Sequence, residues 1–278
     1  MTNQKVVIVT GSSSGIGYET ALLLARNGFR TYATMRNLEK AKAISDVAKK
    51  EKLSLYTTKL DVTDERSVNE AIKTIKSDAG RIDVLVNNAG YGLVGSLEDL
   101  QMSEIKAQYE TNVFGLIRVT QAVLPIMRQQ KGGIIVNISS VGGKMALPLS
   151  SPYISTKFAV EGLSESIAYD LEPFGIKVVM IEPGAIKTNF DTGMVIAQKN
   201  QNPSSPYYTS MQKLQSSLYS LVKNGTPAAK VAEVILEAIT TPSPNLRYTA
   251  GDDAAFLVQK RRELQDPEFQ KLVLEFFK

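Results

Sequence analysis

The chain of 278 residues contains no cysteine and no histidine. The absence of cysteine excludes disulfides, thiolate nucleophiles and cysteine-ligated metal sites. Without histidine, acid–base chemistry near neutral pH requires a tyrosine, lysine, aspartate or glutamate whose pKa is shifted by its surroundings. Zinc would have only carboxylates as ligands, which it disfavours, so we expect no metal site.

Long apolar runs and dense basic tracts are also missing. The N-terminus leads straight into an apolar run of five residues, so we expect no signal peptide, no membrane insertion and a cytoplasmic location. A net charge of +4 suits an anionic cofactor. The basic cluster Lys260-Arg261-Arg262 is short, and we interpret it as a solvated helix face in preference to a nucleic-acid patch.

Short apolar runs alternate with longer helical patterns along the chain. The predicted strands are Lys5–Thr10, Arg30–Thr34, Ser54–Leu60, Ile82–Asn87, Gly133–Ile138, Lys177–Ile181 and Leu246–Thr249. The predicted helices between them are Ile16–Asn27, Leu38–Lys50, Asp64–Ser77, Ser103–Gln129 and Tyr153–Pro173. Apolar strands separated by helices are typical of a parallel sheet covered on both faces. With right-handed crossovers, this pattern predicts an α/β, doubly wound parallel sheet, the Rossmann fold.

The rhythm changes after the sixth strand. Asn202-Pro203-Ser204-Ser205-Pro206 is a loop signal with a helical stretch on each side. We therefore predict one domain over residues 1–278, in which residues 190–226 form an insertion over the site, here called the lid.

A glycine-rich turn joins the first strand to the first helix, with the sequence TGSSSGIG at Thr10–Gly17. Glycine lets such a turn tighten and lets the backbone approach a pyrophosphate, while the helix N-terminus supplies N–H groups and a favourable dipole. The spacing departs from the commoner GxGxxG, but its place between strand and helix favours a dinucleotide site. The predicted binding residues are Gly11, Ser13, Ser14, Gly15, Ile16 and Gly17.

The end of the second strand predicts which dinucleotide binds. An NAD site usually has an Asp or Glu there, which bonds the ribose 2′-hydroxyl. This chain has Met35 and then Arg36. Because a guanidinium group matches a phosphate in geometry and charge, we predict NADP(H) as the cofactor. A merely solvated Arg36 is the alternative, and it leaves the missing acid unexplained.

A serine, a tyrosine and a lysine are the chemical core of the prediction. Tyr153 and Lys157 lie one helical turn apart, and Ser140 precedes the tyrosine by 13 positions, just after a strand. A YxxxK pair alone is weak evidence, since the chain contains a second one at Tyr219–Lys223. That second pair has Pro206 in place of the serine.

These motifs, in this order and spacing, resemble the short-chain dehydrogenase/reductase family in its single-domain form. The resemblance runs from Lys5 to about Phe190, and segments 145–153 and 158–162 look most like the steroid and retinol dehydrogenase branch. The motifs that carry it are TGSSSGIG, Asn87-Asn88-Ala89-Gly90, Asn112, Ser140, Tyr153 with Lys157, Pro183-Gly184, and Thr188.

The resemblance and the chemistry together imply hydride transfer between a nicotinamide and a carbonyl or alcohol, with four catalytic residues. Tyr153 is the general acid for reduction and the base for oxidation. We expect the ammonium group of Lys157 and the positive nicotinamide to lower the tyrosine's pKa, and Lys157 to hold the ribose as well. Ser140 donates a hydrogen bond to the substrate oxygen. Asn112, a mediocre helix former inside a helical pattern, is implied by the family to shape that helix and to hold a water next to Lys157.

Further cofactor contacts are implied by the resemblance. Asp61 and Val62 should flank the adenine, and the turn after the fourth strand should lie under the ribose. Thr188 and the Ile186 backbone should bond the carboxamide. The implied set is Asp61, Val62, Asn87, Asn88, Ala89, Gly90, Tyr153, Lys157, Pro183, Gly184, Ile186 and Thr188.

Candidate substrate residues follow the motif ends or lie in the lid. Most are apolar, which favours a hydrophobic ketone, aldehyde or alcohol, although half of them could simply pack the lid against the core. The set is Tyr91, Leu93, Val94, Ser140, Met145, Leu147, Leu149, Tyr153, Phe190, Met194, Tyr207 and Tyr208. Two other functions stay open: reduction of 3-oxoacyl thioesters, and a non-catalytic NADP-sensing regulator.

We also expect a homodimer or homotetramer, because the helices around Asn112 and Lys157 should expose apolar faces that the family usually pairs with a second copy. Near the C-terminus, apolar residues recur at helical spacing. We interpret them as core or subunit packing in preference to membrane contact. They are Phe269, Leu272, Val273, Phe276 and Phe277.

Overall fold

A computed structural model describes residues 4–188 and 194–275, and the fold within them is a single α/β domain. The strands are β1 Val6–Val9, β2 Arg30–Met35, β3 Leu55–Lys59, β4 Val84–Asn87, β5 Leu93–Val94, β6 Gly133–Ile138, β7 Ile176–Pro183, β8 Ile186–Lys187, β9 Val195–Ile196, β10 Thr226–Pro227 and β11 Arg247–Ala250. Seven of them form the central parallel sheet, in the order β3-β2-β1-β4-β6-β7-β11. This arrangement confirms the predicted Rossmann fold.

Helices cover both faces of the sheet. The helices are α1 Gly15–Arg26, α2 Lys42–Glu51, α3 Glu65–Ala79, α4 Met102–Tyr109, α5 Leu116–Gln130, α6 Ser151–Leu171, α7 Tyr208–Lys223, α8 Ala228–Thr240, α9 Asp252–Glu263 and α10 Asp266–Glu275. One apolar cluster packs α1, α2 and α8 on one face of the sheet, and a second packs α3, α5 and α6 on the other.

Local chemistry sets the limits of these elements. Strand β1 is a run of four buried residues, VVIV, whose side chains suit a sheet covered on both faces. Helix α3 begins after Asp64, whose side chain accepts hydrogen bonds from the backbone N–H groups of Arg66 and Ser67. It ends at Gly80, which has the left-handed conformation that glycine adopts without strain.

The predicted helix Ser103–Gln129 is interrupted. A π-helical segment, Glu110–Gly115, separates α4 from α5 and contains Asn112. The sequence interpretation also assigned no element to α8 or α9. A wider helical turn is a common local feature of functional sites, and here it changes the direction in which Asn112 can point.

Two short parallel pairings attach the lid to the body. Strand β9 pairs with β5 near the lid's beginning, and β10 pairs with β8 at its end. Before the predicted loop the structure has only a short 3-10 turn, Gln198–Gln201, and after the loop it has the helix α7. The lid is therefore tied to the sheet's carboxyl edge at both ends.

The C-terminal helix α10 lies beside the loop that follows Ser140. Phe269 and Val273 pack with Met145 in one cluster, which agrees with the predicted role of the C-terminal apolar residues in packing. Phe276 and Phe277 lie outside the described residues. In the part of the chain that the structure describes, none of the helices combines the length and the apolar character needed to cross a bilayer.

Candidate active site

The glycine-rich turn lies against the end of β4 with little space between them. Gly11 and Gly15 have φ angles of +69° and +60°, which favour glycine. A Cβ atom at Gly17 would lie 2.4 Å from the Nδ2 atom of Asn88. That amide donates hydrogen bonds to the carbonyl oxygens of Thr10 (2.9 Å) and Gly11 (3.2 Å). Asn88 therefore fixes the shape of the turn.

The backbone at the start of α1 faces the open side of this turn. Ser14 is the N-cap residue with extended backbone, and its side chain makes no capping bond. Ser13 and Ile16 are half-buried and Ser14 is exposed. The first N–H groups of a helix and its dipole suit an anion, and binding of a pyrophosphate at this turn stays a prediction.

Arg36 follows β2 and its side chain is exposed. Burial raises the pKa of Tyr91, and the positive charge of Arg36 opposes that rise, so the two side chains lie close enough to interact. Tyr91 was predicted to face the substrate, and that role stays a prediction.

Asp61 and Val62 follow β3. The Oδ1 atom of Asp61 accepts hydrogen bonds from the N–H and hydroxyl groups of Thr63, so the carboxylate shapes its own turn. Val62 is buried, and its side chain would be 2.7 Å from a Cβ atom at Gly115. The predicted adenine contact of these two residues stays a prediction.

Asn112 links the turn after β4 to α6. Its Oδ1 atom accepts from the N–H of Tyr91 (3.1 Å), and its Nδ2 atom donates to the carbonyl of Tyr91 (2.9 Å) and to Oγ1 of Thr156 (3.3 Å). Gly90 lies directly against the Asn112 amide. Only 4% of Asn112 is exposed, which is unlike the solvated position of an ordinary surface asparagine.

Ser140, Tyr153 and Lys157 come together at the carboxyl edge of β6. The side chains of Ser140 and Tyr153 are hydrogen-bonded. The Nζ atom of Lys157 lies 5.7 Å from the centre of the Tyr153 ring and donates to the carbonyl of Ile138 at 2.8 Å. The side chain of Ser140 also accepts a hydrogen bond from the N–H of Gly142 and thereby caps the short 3-10 turn Val141–Gly143.

The electrostatics of this group differ from the sequence prediction. Burial raises the pKa of Tyr153, and the Ser140 hydrogen bond offsets only part of that effect. Burial also lowers the pKa of Lys157 to about 8, against an opposing contribution from Glu161. The prediction that neighbouring charge lowers the tyrosine's pKa is therefore wrong for the protein's own residues, because desolvation of the phenolate exceeds the stabilisation that they provide.

The Lys157→Met variant tests this burial through stability. Since the folded pKa of Lys157 lies below its unfolded value, the unfolded chain binds more protons and wild-type stability rises as pH increases between those values. The variant lacks that gain. We expect the unfolding free energy of the variant, relative to wild type, to fall by about 2 kcal/mol from about pH 7 to about pH 10.

Chemical denaturation at a series of pH values measures this difference. Lys223→Met, at the exposed lysine of the second YxxxK pair, is the matched control, and its difference from wild type should stay nearly constant. A Lys157→Met difference that is equally flat would contradict the inferred burial of the ammonium group.

Residues after β7 approach the glycine-rich turn from the opposite side. The side chain of Thr188 would lie 3.3 Å from a Cβ atom at Gly15, so the two predicted cofactor segments face each other across the edge. Ile186 is buried and belongs to β8, and Pro183 ends β7. The structure thus brings the segment 183–188 next to the turn 11–17.

One group of the predicted substrate residues lies between the lid and the rest of the domain. Leu93 and Val94 are buried and pack against lid residues, as do Leu149 and Met194, which agrees with the alternative of lid packing. Phe190 lies outside the described residues.

Met145 and Leu147 pack against the C-terminal helix, so a substrate role for them would require α10 to share the cleft wall. Tyr207 donates its hydroxyl hydrogen to Glu98, at the edge of the lid.

Thr10, the first residue of the glycine-rich motif, supports the turn after β4: its Oγ1 atom accepts hydrogen bonds from the N–H groups of Asn88 and Ala89. Other supporting residues were not singled out from the sequence. Thr156 contacts Asn112, and Glu161 accepts hydrogen bonds from Lys144 (2.7 Å) and from Arg247, which lies on β11. These contacts join distant parts of the chain and leave no local signal.

Comparison with known proteins agrees with this arrangement. Residues 5–199 match the family model of the short chain dehydrogenase. Human 17-beta-hydroxysteroid dehydrogenase type 1 is 37% identical over 271 residues, covering 94% of this chain and 81% of that protein. Human retinol dehydrogenase 8 is 37% identical over 254 residues, covering 87% and 80%.

Solved structures give the same result. A short-chain dehydrogenase from Streptomyces avermitilis superimposes with a TM-score of 0.84 at 34% identity, covering 98% of both chains. The structure of ElxO, solved with NADP bound, superimposes with a TM-score of 0.75 at 31% identity, covering 91% of this chain and 99% of that chain. The chain therefore belongs to the short-chain dehydrogenase/reductase family of oxidoreductases, near its steroid and retinol dehydrogenase branch.

Proposed function

We propose that the protein transfers a hydride between NADP(H) and a hydrophobic carbonyl or alcohol, with Tyr153 as general acid in reduction and general base in oxidation. The observation that carries the proposal is the convergence of Ser140, Tyr153 and Lys157 at the carboxyl edge of β6. The same edge holds the glycine-rich turn and the segment 183–188, which approach each other through Gly15 and Thr188.

The residues present fit a dinucleotide. A Cβ atom at Gly11 would lie 2.9 Å from the backbone of Ala89, and one at Gly17 would contact the side chain of Asn88. The turn therefore has no room for side chains at these two positions. The turn leads into the N-terminus of α1, whose N–H groups and dipole suit a pyrophosphate. Arg36 is exposed at the end of β2, where a guanidinium group would meet a 2′-phosphate, and this supports NADP(H) over NAD(H).

The bound nicotinamide would supply or accept the hydride. Around it, the chain's own residues have separate tasks. Ser140 donates a hydrogen bond to the substrate oxygen as negative charge develops there. Burial raises the pKa of the Tyr153 phenol, which is protonated near neutral pH even at its ordinary pKa of about 10, so it can donate its proton to that oxygen during reduction. The ammonium group of Lys157, held by the Ile138 carbonyl, favours the phenolate that remains.

Asn112 supports this group through position. Its side chain joins the backbone of Tyr91 to Thr156, the residue before Lys157, and thereby ties the turn after β4 to α6. The π-helical turn lets it reach both partners. We propose that this connection keeps the lysine in register with the turn that lies under the ribose.

The substrate is proposed to be hydrophobic because the segment that leads from Ser140 to Tyr153 carries the apolar side chains of Met145, Leu147 and Leu149. A cavity of about 490 Å³ opens between the lid and the start of α6, but its lining contains neither Ser140 nor Tyr153, so the proposal does not rest on it. The lining residues are Gly95, Ser96, Leu97, Glu98, Leu149, Ser151 and Tyr207. The steroid and retinol relatives also act, by their names, on large apolar molecules.

A panel of carbonyl substrates with NADPH and NADH in parallel tests the function. The panel contains a steroid ketone, a retinoid aldehyde, a simple aromatic ketone and a 3-oxoacyl thioester. We expect turnover of at least one hydrophobic carbonyl, with higher kcat/KM for NADPH than for NADH. Exclusive use of the thioester would favour the alternative reductase. Binding of NADPH without turnover of any compound would favour the regulator and contradict the proposal.

A further inference from the structure

Helix α9 contacts two parts of the active site at once. Its apolar side, Ala254 and Val258, packs against Val141 in the 3-10 turn that follows Ser140. At its first turn, the Oδ2 atom of Asp253 accepts a hydrogen bond of 2.6 Å from the backbone N–H of Ala185. Ala185 directly precedes β8, whose residue Ile186 is among the predicted cofactor contacts. One helix therefore supports both the serine and the opposite segment.

The Asp253 carboxylate fits closely between two glycines. A Cβ atom at Gly184 would lie 2.2 Å from Oδ2, and one at Gly251 would lie 2.6 Å from Oδ1. Gly251 also has a φ of +109°, which an L side chain rarely adopts. A side chain at either position would displace the carboxylate, so the glycines at 184 and 251 leave the space that Asp253 occupies.

The other polar group of Ala185 is held as well. Its carbonyl accepts from the N–H of Thr226 at 2.9 Å, and a Cβ atom at Gly225 would lie 2.4 Å from that oxygen. Thr226 also pairs with Ile186 through β10 and β8. The peptide groups of Ala185 are thus fixed on one side by α9 and on the other by the end of the lid.

We propose that Asp253 is a positioning residue for the cofactor: through Ala185 it holds Ile186 and Thr188 in place, and through α9 it sets their distance from Ser140. The inference rests on the proposed function, in which Ile186 and Thr188 bond the nicotinamide carboxamide. A charged acceptor suits this task, since hydrogen bonds to an ionised carboxylate are stronger than those between neutral groups.

The test compares Asp253→Ala and Asp253→Asn with Asp252→Asn. Asp252 is the neighbouring carboxylate of the same helical turn and is exposed, so it controls for charge and for the helix dipole. We expect hydrogen exchange at the Ala185 amide to accelerate about tenfold or more in Asp253→Ala and less in Asp253→Asn, which retains an oxygen acceptor. Asp252→Asn should match wild type.

Cofactor binding gives the second readout. We expect the Kd and KM for NADPH to rise about tenfold in Asp253→Ala, while the KM for the carbonyl substrate changes by less than about twofold. A merely structural role would lower thermal stability and affect both constants together. Gly184→Ala should also weaken NADPH binding, because the new methyl group would clash with the Asp253 carboxylate. The double variant Gly184→Ala/Asp253→Ala should bind NADPH about as weakly as Asp253→Ala alone, because it lacks that carboxylate.

Different results would contradict the role of Asp253 and the proposed function of the protein. Amide exchange is measured on the free protein and needs no activity, so unchanged exchange at Ala185 in both Asp253 variants would overturn this inference even in an active enzyme. Normal NADPH affinity in Asp253→Ala, with wild-type affinity established, would overturn it too. Failure of the wild type to bind NADPH would instead contradict the proposed function.

Discussion

Replacement of Tyr153 by phenylalanine is expected to lower carbonyl turnover with NADPH by a factor of about 100 to 10,000, the range for loss of a general acid. The substitution removes one hydroxyl group and leaves the ring packed beside Lys157. NADPH affinity should therefore change little, so the loss should be in kcat. Initial rates and cofactor titrations on the same preparation measure both quantities.

The matched control is Tyr219→Phe. Tyr219 is the tyrosine of the second YxxxK pair, it is 60% exposed, and it lies on α7. We expect this variant to keep wild-type turnover. Near wild-type turnover in Tyr153→Phe, or an equal loss in both variants, would contradict the assigned role of Tyr153.

The second large effect is expected at Arg36. Arg36→Ala should weaken NADPH binding by a factor of about 10 to 100, the contribution of a charge-assisted hydrogen bond to phosphate. NADH lacks the 2′-phosphate, so its affinity should change much less. The ratio of the two dissociation constants is the measurement that isolates this effect.

Two controls accompany this test. Arg36→Lys keeps the charge and loses the planar fork, so we expect an intermediate loss. Arg66→Ala removes another exposed arginine, one that pairs with Glu70 on α3, and should leave both affinities unchanged. Equal loss for NADPH and NADH in Arg36→Ala, or no loss for either, would contradict the preference for NADP(H).

The sheet and the main motif positions could be predicted because their signals are local. The run Val6–Val9 and the other buried strands are apolar, and glycines mark the turn where the backbone must approach another segment. The site's order along the chain follows from the topology, since the carboxyl ends of parallel strands meet at one edge. Strands such as β4 and β6 were therefore placed within a few residues.

Features that depend on contacts between distant residues could not be predicted. The π-helical turn lies where the side-chain amide of Asn112 contacts Tyr91 on one side and Thr156 on the other. The sequence around Asn112 contains no pattern that indicates these two contacts. The contact between Asp253 and Ala185 joins residues 68 positions apart. Met145 looked like a substrate residue because it follows Ser140, yet it packs against α10, which only the tertiary fold brings there.

The electrostatics of Tyr153 illustrate the same limit. Proximity of a lysine one helical turn away is visible in the sequence and suggests a lowered pKa. How far the pair is removed from water is not visible, and burial raises the pKa of the tyrosine while it lowers that of Lys157. The sign of the net shift therefore depends on packing, which the spacing of the motif does not contain.

The central claim is that the phenol of Tyr153 lies beside the reactive ring of a bound nicotinamide. Spectroscopic titration of the phenolate, taken as the difference between wild type and Tyr153→Phe, tests it with and without NADP⁺. We predict a pKa above the ordinary value of about 10 in the free protein, lowered by about one unit or more when the positively charged ring binds. An identical titration in the presence and absence of NADP⁺ would contradict the claim.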